Sequence, residues 1–261
     1  ANYMDRSECG SCSDNNTNGV YFTNNTVTTS TEGGGDKTGI LAVSARVTNQ
    51  FGSPVTNTPE YTGTMKSIVI DGNTVTGNYQ YGITAAGSAG DYVDALGIEN
   101  ISVIDNTINL TNSEARFGIV AAGGVLGTYG DPPDGPFQPG STNCFLKDVT
   151  ISENNITAEG GIAVCGDLYE SAPRAGSIAG NHVDTITIND NSIAKPDSGD
   201  PSKDLPGILI AGIADIWNRL SELHGNPIPI PTLGGNTVTG ATIGTNTITG
   251  FEESKQILDC S

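Results

Sequence analysis

Ile101-Ser102-Val103-Ile104-Asp105-Asn106-Thr107-Ile108 is the stretch that decides the fold. Ile101 and Val103 stand two apart, Asn106 follows three residues later, and Ile108 lies two beyond it. Alternation with period two marks a strand that buries one face, and an Asn between two such runs marks a bend. The same spacing returns in Val20/Phe22/Asn25/Val27, Ile68/Ile70/Asn73/Val75, Val149/Ile151/Asn154/Ile156, Ile186/Ile188/Asn191/Ile193 and Ala241/Ile243/Asn246/Ile248. The chain is therefore read as six copies of strand, bend, strand.

A second module follows the first five copies: Gly39-Ile40, Gly82-Ile83, Gly118-Ile119, Gly161-Ile162 and Gly207-Ile208, each continuing in small or apolar residues. This gives three short strands per repeat. The Asn-to-Asn spacings of 48, 33, 48, 37 and 55 residues are too irregular for a helical array but suit a solenoid whose corners accept loops. One coil cannot bury its apolar face alone. Stacked about 4.8 Å apart, six coils form parallel sheets around a shared core in a rod about 25–30 Å long. The expected fold is all-β: a parallel β-helix of about six irregular coils with long corner loops. Residues 1–18 are expected to form a Cys-containing arm and 19–261 a single domain, with insertions near 125–143 and 212–232.

Asn25, Asn73, Asn106, Asn154, Asn191 and Asn246 are read as a structural ladder. A short amide tolerates a left-handed bend, and stacked on its equivalents it hydrogen-bonds along the rod. One segment breaks the pattern: Ile213, Ile216, Trp217 and Leu220, between Gly212 and Gly225, have helical spacing and predict a short inserted amphipathic helix.

On these repeats the chain resembles the right-handed parallel β-helix superfamily, which includes pectate lyases, polygalacturonases and alginate epimerases. The resemblance spans roughly residues 19–257 and implies the fold; it does not carry a function, because the shared motif is scaffold.

Composition narrows the rest. A formal charge of −18, from 11 Lys+Arg against 29 Asp+Glu, repels a phosphate backbone, and no basic patch offsets it, so nucleic acid is not an expected partner. No apolar run approaches the roughly 20 residues that cross a bilayer, so membrane insertion is not expected. Hydrophobic residues make up only 36%, yet they recur at fixed spacing, which argues for order.

Catalytic signals are sparse. Carbohydrate chemistry on such a scaffold needs carboxylates and cations on one face, but the five Arg and six Lys do not recur at matching positions. Leu223-His224-Gly225 has no partner motif, and Tyr129-Gly130-Asp131-Pro132-Pro133, faintly like an alginate-epimerase signature, lacks its His. His182 reads as a turn residue. No catalytic residue and no cofactor are assigned, and two His make a zinc site unexpected. The acidic groups Asp91/Asp94, Asp131/Asp134, Asp197/Asp200/Asp204 and Glu252/Glu253/Asp259 read as solvated charge, with calcium the alternative. Thr26/Thr28, Thr74/Thr76 and Thr247/Thr249 flank the ladder outward. Such arrays also bind ice on some solenoids, but Asn109 and Ala194 interrupt this one.

The five Cys are Cys9, Cys12, Cys144, Cys165 and Cys260. Dispersed Cys in an acidic Asn/Thr-rich chain suit an oxidising, extracellular setting. An odd number leaves at least one for another chain: Cys9, Cys12 and Cys260 near the ends are intermolecular candidates, Cys144 and Cys165 an intramolecular pair. Sequons stand at Asn15, Asn24, Asn100, Asn109 and Asn155. Ala1, with no Met start, reads as the product of signal-peptide removal.

The functional expectation is a structural cell-surface subunit that self-assembles by edge stacking and disulfides into a sheath, surface layer or fibre. In character it is similar to the amyloid-like sheath proteins of archaea. The expected partner is a second copy of itself. The alternative is a polysaccharide lyase, hydrolase or epimerase, or a carbohydrate-binding relative; the lesser alternatives are an ice-binding protein and an adhesin.

Overall fold

A computed structural model describes residues 18–28, 38–47, 63–90, 93–94, 96–110, 115–126, 141–169, 177–196, 205–215 and 232–260. Strands are numbered in chain order. Sheet A stacks β1 (Asn18–Thr23), β4 (Gly63–Asp71), β8 (Leu96–Ile104), β12 (Phe145–Ser152), β16 (His182–Asn189) and β20 (Thr237–Ile243). Sheet B stacks the three-residue strands β2 (Thr26–Thr28), β5 (Thr74–Thr76), β9 (Thr107–Asn109), β13 (Asn155–Thr157), β17 (Ser192–Ala194) and β21 (Thr247–Thr249). Sheet C stacks β3 (Thr38–Val47), β6 (Tyr81–Gly90), β10 (Phe117–Leu126), β14 (Gly160–Tyr169), β18 (Ile208–Asp215) and β22 (Ile257–Cys260). Neighbouring strands pair parallel throughout, each with its equivalent one coil away, so the described residues form a parallel β-solenoid of six coils.

Register turns the sequence repeat into columns of one residue type. Ile68, Ile101, Val149 and Ile186 are successive partners on sheet A. Val75, Ile108, Ile156 and Ile193 are partners on sheet B, as are Ile83, Ile119, Ile162 and Ile208 on sheet C. All twelve are at most 2% exposed and belong to one core. Each such side chain removed from water contributes about 1.5–3 kcal/mol, which is how a chain poor in aromatics sustains a core. The outer face of sheet C builds a second cluster around Tyr81, Phe117, Val120 and Leu168.

Two features differ from the sequence reading. Each coil from the second to the fifth carries a fourth short strand, β7 (Val93–Asp94), β11 (Ser141–Thr142), β15 (Ser177–Ala179) and β19 (Thr232–Gly234), forming sheet D ahead of the next sheet A strand. The helix predicted from Gly212 does not start there: Gly212 to Asp215 continue β18, with Ile213, Ala214 and Asp215 paired to Asp167, Leu168 and Tyr169. Parallel ladder bonds to β14 outweigh the helical spacing at these residues. Ile216, Trp217 and Leu220 lie outside the described residues, and no α-helix occurs among the described ones.

The bends also correct the reading. Positive φ falls one residue before the ladder Asn, at Asn24, Gly72, Asp105, Glu153 and Asp190 (φ 54–64°). A second left-handed column, Gly19, Ser67, Asn100, Asp148, Thr185 and Gly240 (φ 55–75°), kinks each sheet A strand. The turn is made by the preceding residue, which frees the Asn side chain to bond along the axis.

The Gly-Ile module has a steric cause. A Cβ on Gly161 would lie 2.2 Å from the Gly207 carbonyl oxygen and 2.4 Å from Ile193 Cγ2; Gly39, Gly82, Gly118 and Gly207 are hemmed in the same way. Here the corner between sheets B and C presses onto the following coil. Gly161→Ala is therefore expected to cost about 3 kcal/mol, the upper range for overpacking, because backbone stands in the way. Urea denaturation of the variant measures it.

Candidate functional site: two ladders and a buried carboxyl

The Asn side chains run as one directed chain of bonds. The backbone N–H and Nδ2 of Asn25 donate to Asn73 Oδ1 (3.0 and 2.9 Å), those of Asn73 to Asn106 Oδ1 (2.9 and 2.9 Å), and those of Asn106 to Asn154 Oδ1 (3.0 and 2.9 Å). Asn154 donates likewise to Asn191 (3.1 and 2.9 Å) and Asn191 to Asn246 (3.0 and 2.9 Å). From Asn73 onward each Nδ2 also reaches a carbonyl of the preceding coil, as Asn106 does to Ile70 (2.9 Å) and Asn154 to Val103 (2.9 Å). One side chain thus ties three coils together. Asn73, Asn106, Asn154 and Asn191 are 1% exposed, a burial that their bonds make tolerable.

A second ladder stands at the corner between sheets D and A, and the sequence reading missed it. Cys144, Asn181 and Asn236 each follow a left-handed residue, Asn143, Gly180 and Gly235 (φ 53–72°). The Asn181 N–H donates to Asn236 Oδ1 (3.0 Å), and the Cys144 N–H to Asn181 Oδ1 (2.8 Å). The signal was present: each of the three sits ten residues ahead of a ladder Asn, at 154, 191 and 246. A cysteine at the first position disguised it.

This second ladder holds a fully buried carboxyl that the described residues leave half satisfied. Gly166 lets sheet C come so close that an added Cβ would meet Asn181 O and Gly212 O at 2.6 Å. The next residue, Asp167, is 0% exposed. Its Oδ2 accepts from Asn181 Nδ2 (2.9 Å), and its Oδ1 has no hydrogen-bond partner among the described residues. Burial holds its carboxyl well above the usual range, with the Asn181 bond acting in the opposite direction. Burial likewise pushes the Cys165 thiol up, Asp167 adds to the push, and a bond involving the Ala214 backbone opposes it. Cys165 is therefore a poor nucleophile.

The other predicted residues are scattered. Cys144 and Cys165 are both buried thiols; Cys144 Sγ donates to Thr142 O (3.4 Å). Cys260 ends β22 opposite Ala211, while Cys9 and Cys12 lie outside the described residues. The sequon residues Asn24, Asn100, Asn109 and Asn155 are all exposed; Asn15 lies outside the described residues. His224, the Tyr129–Pro133 segment and most of the acidic pairs also lie outside them. Among the described residues no three His, Cys, Asp or Glu side chains converge as metal ligands.

On the outer face of sheet A, Lys66, Glu99, Lys147 and Asp184 stand in one column of alternating sign. Lys66 Nζ lies 3.0 Å from Glu99, a half-exposed pair worth at most about 1 kcal/mol. His182 stacks on Phe145 (ring centroids 5.7 Å apart), and its Nε2 lies 3.7 Å from Asp184. On sheet B the outward column Thr28, Thr76, Asn109, Thr157, Ala194 and Thr249 is interrupted where the sequence indicated.

The two ends differ from the middle. The exposed large hydrophobic side chains among the described residues are Tyr21 (68%) on β1 and Ile257 (45%) and Leu258 (42%) on β22. Among the described residues, strands β1, β2 and β3 on one end, and β20, β21 and β22 on the other, pair on one side only. Compared with protein-family models, curated proteins and solved structures, the chain matches none.

Proposed function

We propose that this chain is a structural, extracellular β-solenoid subunit that self-assembles through its open sheet edges, with terminal cysteines as intermolecular cross-links. The observation that carries the reading is the placement of exposed apolar side chains on the two end coils, whose sheet edges have no further strand paired to them among the described residues. Natural sheets cover such edges or use them for association. The exposed sequons and the dispersed Cys support an extracellular setting. The likeness in character to archaeal sheath proteins, and the amide ladder that runs along the stack, support a sheath, layer or fibre as the product.

Electron microscopy before and after a strong reductant, with non-reducing electrophoresis alongside, tests this. Ordered polymers that loosen on reduction are the expected result. A monodisperse monomer indifferent to reductant would overturn it and favour the carbohydrate-acting alternative. Lys147, in register between Glu99 and Asp184 beside His182, is where that alternative would begin.

A further inference from the structure

We infer that the association is polar, with the sixth coil of one copy stacking on the first coil of the next. This rests on the assembly reading above and adds its direction. The Asn-to-Asn bonds have an arrow: from Asn25 to Asn191, each N–H and Nδ2 donates to the Oδ1 of the ladder Asn one coil toward the C-terminal end. At the first coil Asn25 donates to Asn73, and its own Oδ1 accepts nothing among the described residues. At the sixth coil Asn246 Nδ2 donates to Ile188 O and Gly244 O (both 3.1 Å), and its N–H occupies the place from which Asn191 reaches forward. Acceptor at one end and donor at the other fit head to tail. Head-to-head contact sets donor against donor, or acceptor against acceptor.

The apolar columns agree. Continued by one coil, the register places Val27 of the next copy on Ile248, its Ile40 on Ile257 and its Leu41 on Leu258. Two half-exposed side chains would thereby be covered by their own kind. A contact between two different surfaces of one chain, repeated without closure, propagates as a filament.

One column opposes the join and sets its strength. Gly39, Gly82, Gly118, Gly161 and Gly207 give way to Gln256 at the sixth coil. A Cβ on Gly207 would lie 2.7 Å from Ile248 Cγ2 and 2.8 Å from the Gln256 carbonyl oxygen. At position 256 the matching neighbours are Val27 and Gly39 of the next copy. The junction is therefore looser at this corner than any joint inside the chain, which marks where one subunit ends.

Mixing two single variants of the full chain, Thr28→Cys and Thr249→Cys, tests the direction. Both positions are exposed and occupy one outer column, so head-to-tail stacking brings them to one strand spacing, about 4.8 Å, inside the Cα range a disulfide spans. After mild oxidation, peptide mapping should recover the 28–249 link between chains. Links of 28 to 28 or 249 to 249 alone, in material that sediments as polymer, would overturn the polarity while leaving self-assembly standing. Monomer alone by sedimentation would overturn both. Gln256→Gly should lower the concentration for half-assembly by about tenfold, the scale of one relieved overpacked contact; no change or a rise would overturn the in-register join.

Discussion

Replacing Asn106 by alanine should destabilise the solenoid by about 3–5 kcal/mol, several times the loss at Asn25. Alanine removes the Oδ1 that accepts from the Asn73 N–H and Nδ2, and the Nδ2 that donates to Ile70 O, Ile104 O and Asn154 Oδ1. Asn73 Nδ2 keeps Phe22 O (2.7 Å), but its backbone N–H is left in a place that water does not reach. Each buried group stripped of its partner costs about 1–3 kcal/mol, and at least two are stripped here. Asn25 is exposed, and among the described residues its side chain makes only the Nδ2 donation to Asn73, the backbone N–H bond being kept by alanine, so Asn25→Ala should cost about 1 kcal/mol. Chemical denaturation of both variants settles the comparison. Equal losses would mean that the bonds add nothing beyond local backbone geometry, and no loss at Asn106 would remove the ladder as a stabilising element.

The ladder was legible in the sequence because its residue type repeats in all six coils and sits at a fixed offset from strands of period two. The Gly-Ile module was legible for the same reason, although only the structure gives its cause, the carbonyl and the methyl of the following coil that a Cβ would strike. What repeats less often could not be read. The second ladder spans three coils and opens with Cys144, so no single residue type announces it. Sheet D is made of strands two or three residues long, too short for alternation to register. The helical spacing that begins at Ile213 failed at its start because β14 already offers a parallel partner there, and a period read along the chain cannot see a neighbour across it. Asp167 was passed over for a related reason. A lone Asp two residues after a Cys has no recognisable pattern, and its burial follows from the approach of Asn181 that the neighbouring Gly166 permits, a contact made across the coil. The candidate function was the least legible, since a scaffold motif explains its own residues completely and leaves chemistry to the loops.

Asp167→Asn should change how stability depends on pH more than any surface substitution. The folded chain keeps the Asp167 carboxyl protonated above the pH at which the free chain releases its proton, because burial outweighs the single Asn181 bond. From about pH 4 upward the native state therefore binds more protons than the unfolded state, and stability falls as pH rises until the buried carboxyl ionises. One proton sets the limiting slope at about 1.4 kcal/mol per pH unit. Asparagine presents the same shape and cannot ionise, so this contribution vanishes. Its amide stands where Oδ1 has no partner, which adds a cost of about 1–3 kcal/mol that does not vary with pH. The difference in stability, variant minus parent, should thus start near or below zero at pH 4 and climb toward neutrality. The formal charge of −18 tilts both proteins alike and cancels in that difference. Urea melts at unit intervals from pH 4 to 8 measure it. Parallel curves would mean that Asp167 titrates as it does in the unfolded chain, and that its unpartnered oxygen is relieved by something other than a proton.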